Sequence, residues 1–112
     1  MSYVVVATYV ARSGEADAIA AALQRITPLA RAEPACREYR AHRSLEDPNL
    51  FLIYEEYHDE AGFDAHCATE HFACHIRDEC WPRLAQRTVV RAQPLHTPPS
   101  AALFADPNRG DG

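Results

Sequence analysis

The stretch "CREYRAHRSLEDPNLFLIYEEYH", residues 36–58, decides the fold. Its two ends are runs of strand length, and "SLEDPN" between them is the kind of Ser, Asp, Pro and Asn cluster that turns a chain back on itself. The stretch therefore predicts a two-stranded hairpin. Upstream, "YVVVATYVA", residues 3–11, is a β-branched run that "RSG" closes. Between that strand and the hairpin, "GEADAIAAALQRITPLARAEP" sets Ile19, Leu23, Ile26 and Ala30 on one helical stripe, with Glu33-Pro34 as its end. Pro28 inside the stripe predicts a kink or a loosened turn. Downstream, Asp59 is placed to cap a helix from Glu60 to about Cys67, and Thr69 to cap a second piece through Phe72, Ile76, Cys80 and Leu84. "RTVVRAQPL", residues 87–95, supplies a last strand. The order βαββαβ gives a ferredoxin-like α+β domain over residues 1–95, an antiparallel sheet with both helices on one face. The remainder, "HTPPSAALFADPNRGDG", residues 96–112, is expected to be a C-terminal tail, flexible unless Leu103 and Phe104 dock.

Composition excludes several partners. With 112 residues, 47% of them hydrophobic, the chain has material for one core and little left for a second. Its formal net charge is −5, and all eleven basic residues are scattered arginines, so no cluster is available to displace counterions from nucleic acid or an anionic membrane. No segment reaches the roughly 20 apolar residues that span a bilayer, and the apolar start lacks a charged leader and a cleavage site. A cytoplasmic protein is expected. The four cysteines, Cys36, Cys67, Cys74 and Cys80, are then reduced thiols, with Cys36, Cys74 and Cys80 as core packing.

The first strand makes a further demand. Val4, Val6, Thr8 and Val10 form one face, and Tyr3, Val5, Ala7 and Tyr9 the other; both are apolar. A sheet covered by helices on one side only should alternate with polar residues. Burying the second face at roughly 25 cal/mol per Å² favours a second copy of the chain over water, so a homodimer joined sheet to sheet is expected.

Candidate chemistry follows the hairpin. Phe51, Ile53, Glu55 and Tyr57 share one face of the third strand, and a carboxylate among such groups needs a partner or keeps its proton. His66 lies on the same helical face as Phe63, three residues before it. If the Glu55 face looks toward the helices, Glu55 and His66 meet, with Tyr57 beside them. Such a pair is either a general base held in one tautomer or a structural link between sheet and helix. Cys67, His71 and His75 sit at four-residue spacing, which would suit a transition metal if one helix ran through all three; the cap at Thr69 breaks that set, and no metal is expected. Trp81 before Pro82 suits a helix-end core position or a pocket wall. No phosphate-cradling glycine motif and no GxSxG elbow is present.

The stretch "RAEPACREYRAHRSLEDPNLFLIYEEYHDEAGFDAHCATEHF", residues 31–72, resembles the antibiotic-biosynthesis monooxygenase family. That family carries an Arg-Ala-Glu-Pro-Gly-Cys turn, a Tyr-Glu-x-aromatic strand and a His-x4-His-Phe helix. Ala35 stands where the family usually has Gly, which predicts a tighter or re-angled turn. The resemblance implies a dimeric α/β barrel that oxidises a quinol or anthrone-like polyphenol with O2 and without flavin, haem or metal. It also implies a pocket between sheet and helices, with His66 as base, Glu55 orienting it, and Tyr57, His71, Phe72 and Trp81 as pocket wall. Haem-degrading relatives use an Asn on the first strand and a Trp and a His on the second helix, which this chain lacks. Two alternatives stay open: an isomerase like the branch that degrades a phosphorylated autoinducer-2 sugar, which would consume no oxygen, and a non-catalytic dimeric module that binds a small ligand.

Overall fold

The computed structural model describes residues 2–95. The expected tail, with Leu103 and Phe104, lies outside the described residues. Strand β1 (Tyr3–Ala11) leads through a turn at Gly14, whose φ of 82° is the left-handed value that favours glycine, into helix α1 (Ala16–Arg31). The stripe Ile19, Leu23, Ile26 and Ala30 is buried, as the sequence spacing demands. Pro28 is accommodated inside the helix with its ring exposed; Thr27 Oγ1 donates to the Leu23 carbonyl nearby, at 2.7 Å.

The hairpin is β2 (Cys36–Arg43) and β3 (Leu50–Tyr57), antiparallel in register from Arg43 opposite Phe51 to Tyr39 opposite Glu55. Its turn is held by Ser44 Oγ, which accepts from the Glu46 and Asp47 amides, and by Asp47 Oδ1, which accepts from Asn49. Strand order is β2-β3-β1, closed at the far edge by β4 (Leu84–Ala92), and all pairs are antiparallel. This is the ferredoxin-like sheet that the element order predicts.

Helix α2 (Glu60–Cys67) is capped by Asp59 Oδ1 on the Gly62 amide at 2.9 Å. Thr69 caps the next piece, its Oγ1 accepting from the Phe72 amide at 3.1 Å. That piece differs from expectation. It is a π-helix (Phe72–Cys80) followed by one 3-10 turn (Trp81–Arg83), and Leu84 begins β4 instead of ending the helix. Phe72, Ile76 and Cys80 still face inward, because a four-residue repeat keeps one side of either helix type toward the core. Cys74 is exposed, not core packing, whereas Cys80 is fully buried.

The core lies between α1 and the face of the sheet that carries Ala7, Tyr9, Tyr39, Phe51 and Ile53. Gly62 permits a close approach at its edge: a Cβ there would sit 2.7 Å from Ala35 Cβ and 3.3 Å from Tyr57 Cβ. The Ala35 methyl therefore occupies the space that Gly62 leaves open. On the opposite face, Val6, Leu52 and Val90 are 38%, 43% and 58% exposed. Among the described residues no helix is long and apolar enough to cross a membrane.

Candidate functional site

The Glu55 face of β3 does turn toward the helices. Glu55 is 7% exposed and His66 1%. Asp59 and Gly62 start α2 close against the end of β3, and one turn later the helix lowers His66 between Tyr39, Tyr57 and Phe72, with ring centroids 5.6, 5.5 and 5.3 Å away. His66 Nε2 comes within 3.7 Å of Glu55 Oε1, beyond hydrogen-bond reach. The carboxylate that grips His66 is instead Glu33, in the turn after α1, whose Oε2 lies 2.8 Å from Nδ1. Glu55 is held by Tyr57, whose hydroxyl donates to Oε1 at 2.7 Å along the same strand face. Glu55 and His66 thus meet as expected, but the hydrogen bond that orients the imidazole, expected from Glu55, is made to Glu33, which the turn after α1 brings onto the ring.

Glu33 also accepts from His71 Nε2, at 2.6 Å and on the same Oε2. An ionised carboxylate only accepts, so each neutral ring must present an N–H to it, leaving lone pairs at His66 Nε2 and His71 Nδ1. The side chains grade outward, His66 at 1%, Glu33 at 12% and His71 at 21% exposure. Burial lowers the His66 pKa below its ordinary value, against the pull of the hydrogen bond and charge from Glu33. Burial pushes Glu55 the other way, up to about 7, in spite of the Tyr57 hydrogen bond that favours its ionised form. Burial thus favours the uncharged form of both adjoining groups.

Of the residues singled out in the sequence, His66, Glu55, Tyr57, His71 and Phe72 converge. Trp81 stands one step out, edge-on to Phe72 at 5.9 Å and covered by the Arg87 guanidinium 3.9 Å from its ring. His71 and Phe72 form the partly exposed edge of the cluster. A separate cleft of about 600 Å³ lies between α1 and β2, lined by residues such as Leu23, Pro28, Arg31, Ala41 and Phe51. Sequence reasoning missed Glu33. Its one signal was its place in "RAEPAC", noted for the turn and not for the acid.

Glu33, His66 and His71 each offer one ligand atom, all within 4.8 Å of one another, a set that could hold a divalent transition metal once the N–H protons were given up. Cys67, His71 and His75 do not gather that way among the described residues; the second group of ligating side chains is Cys74, His75 and Glu79.

The family model for antibiotic biosynthesis monooxygenase matches residues 2–77, which include both acids, both histidines and Phe72. The chain belongs to the antibiotic biosynthesis monooxygenase family. Solved structures agree with the assignment. A structure described as an antibiotic biosynthesis monooxygenase is 28% identical with a TM-score of 0.78, over 84% of this chain and 99% of that one. A Pseudomonas aeruginosa protein is 27% identical with a TM-score of 0.80, over 85% and 95%. A Mycobacterium tuberculosis protein, at 23% identity and a TM-score of 0.79 over 87% and 98%, shows the fold alone. No curated protein matches the sequence. Within this family the ferredoxin-like sheet is the shared frame, and in this member hydrogen bonds join Glu33 to both His66 and His71.

Proposed function

We propose that this family member is a cofactor-independent monooxygenase that oxidises a quinol or related polyphenol with O2. What carries the reading is the graded path His66, Glu33, His71, a buried proton acceptor with its own outlet to water. In this reading the substrate enters by displacing Phe72 from the edge of His66 and lies among Tyr57, Phe72 and Trp81. The phenolic proton passes to His66 Nε2. The Nδ1 proton shifts onto Glu33, which leaves His66 as the tautomer with its proton on Nε2. His71, once exchange with water has moved its own proton from Nε2 to Nδ1, takes the Glu33 proton on Nε2 and releases the Nδ1 proton to water; His66 returns to its starting tautomer as the product leaves.

The electron-rich anion then gives one electron to O2, and the two radicals combine to a hydroperoxide. Loss of water leaves the quinone, so one oxygen atom of O2 ends in the product and the other in water. Glu55, with a pKa of about 7, holds a proton beside this step and is suited to deliver it to the departing oxygen. The protein contributes desolvation, orientation and these proton transfers.

Oxygen uptake with a test quinol, on wild type and variants, tests the proposal. Glu33→Gln and His66→Ala should each slow the reaction by about 10² to 10⁴, the usual worth of a positioned base and its partner. His71→Ala should slow it less at high buffer concentration than at low, because small buffer molecules replace the outlet. A His66→Ala protein that is folded and oxidises at the wild-type rate would end the assignment. Substrate turnover without oxygen uptake would instead favour the isomerase.

A further inference from the structure

The second convergence of ligating side chains stands on the outer side of the π-helix, apart from the proton path. One atom each from exposed Cys74 and half-buried His75 and Glu79 lie within 4.8 Å of one another. The helix type creates this set. In an α-helix, residues 74 and 79 would point roughly 140° apart around the axis. The i→i+5 turns of a π-helix bring residue 79 back over residue 74, with residue 75 remaining its i+4 neighbour.

The set is also braced. His75 Nδ1 and Glu79 Oε1 are 2.5 Å apart, and the other Glu79 oxygen is paired with Arg25 of α1. The acid is therefore held from a second element, as outer partners hold the ligands of metal sites, and the Cys74 thiol stands free at the surface. One thiolate, one imidazole nitrogen and one carboxylate oxygen suit a borderline-soft ion over Mg²⁺ or Ca²⁺, which prefer oxygen alone.

We propose that Cys74, His75 and Glu79 bind a divalent transition ion of the Zn²⁺ class, with the remaining coordination position open to solvent. On binding, the Cys74 thiol proton leaves to water, and the His75 Nδ1 proton moves to Nε2 so that Nδ1 can ligate. Neighbouring Arg25 opposes the incoming charge but keeps Glu79 in place.

Co²⁺ serves as a visible probe for Zn²⁺. The full chain, with thiols reduced, should develop a thiolate-to-cobalt charge-transfer absorption in the near ultraviolet. It should saturate at one ion per chain at roughly tens of micromolar Co²⁺ and be displaced by Zn²⁺. Cys74→Ser should abolish the band, and Glu79→Gln should weaken binding by about tenfold or more. Cys67→Ser and His71→Ala should leave it unchanged, since the Glu33, His66 and His71 set has no thiolate. Absence of the band up to millimolar Co²⁺, its survival in Cys74→Ser, or its loss in Cys67→Ser or His71→Ala would each overturn the site.

Discussion

Glu55 and His66 face each other across 3.7 Å, and burial drives their protons in opposite directions. Glu55 rises from its ordinary 4.5 to about 7, so between those values the folded chain holds a proton that the unfolded chain has lost. Its contribution to stability is therefore full at low pH and falls as pH climbs through that window, the reverse of an ion-paired acid. His66 is lowered from 6.5, so below that value the unfolded chain takes up a proton that the folded one resists, and stability falls as pH drops. Glu55→Gln isolates the first effect, because the amide still accepts from Tyr57 and cannot ionise. Between pH 5 and pH 8 the variant should gain on the order of 1–3 kcal/mol relative to wild type, because a tenfold change in proton affinity is worth about 1.4 kcal/mol. Urea unfolding at the two pH values checks it, and an unchanged difference would mean that Glu55 titrates normally in the folded protein.

At the scale of elements, the seating of α2 rests on a methyl group opposite a missing one. Gly62→Ala would bring two Cβ atoms to 2.7 Å across the junction with the turn at Ala35, and the backbone on both sides leaves little room to yield. A loss of about 1–3 kcal/mol is expected. Combining it with Ala35→Gly should recover part of that loss, and denaturant midpoints of the two variants decide it; equal midpoints would show that Tyr57 Cβ, not Ala35, sets the limit. The same junction shows what the sequence made legible. The hairpin, the α1 stripe and the caps at Asp59 and Thr69 are local: each is decided by a turn residue or a period within a few positions. The π-helix was not legible, because Phe72, Ile76 and Cys80 repeat at a spacing that an α-helix satisfies as well, and only the outer residues Cys74 and Glu79 betray the wider turn. The role of Glu33 was hidden for a different reason. It depends on how α1 ends over α2, a contact between residues 33 positions apart in sequence that no periodicity reports. Glu55 and His66 were found because strand alternation and helical spacing both pointed inward, and the Tyr57 hydroxyl that holds Glu55 lies two residues away on the same face.

For the whole molecule, one face of the sheet remains to be explained. Val6 pairs with Tyr54 on one side and Val90 on the other, and Thr8 pairs with Leu52 and Thr88, so these side chains form a continuous band across three strands on the face without helices. Arg40 and His42 border it on the edge strand β2, opposite Tyr54 and Leu52. An apolar centre with a polar margin is how interfaces between like chains are built, and a monomer would leave the band in water. We propose that this face joins two copies across a two-fold axis, which would also place the solvent-facing ends of both His71 proton paths on the outside of the pair. Val6→Arg alters the band without touching the helix-covered face, where Val5 and Ala7 pack. Wild-type chain at micromolar concentration should scatter light as twice the chain mass, and Val6→Arg should scatter as one chain with its helical circular dichroism retained. Because binding between copies adds to stability by mass action, the wild-type melting temperature should rise with protein concentration and that of Val6→Arg should not. A wild-type protein that is monomeric and concentration-independent would show that the band is tolerated in water and that the two-sided apolarity of β1 has another cause.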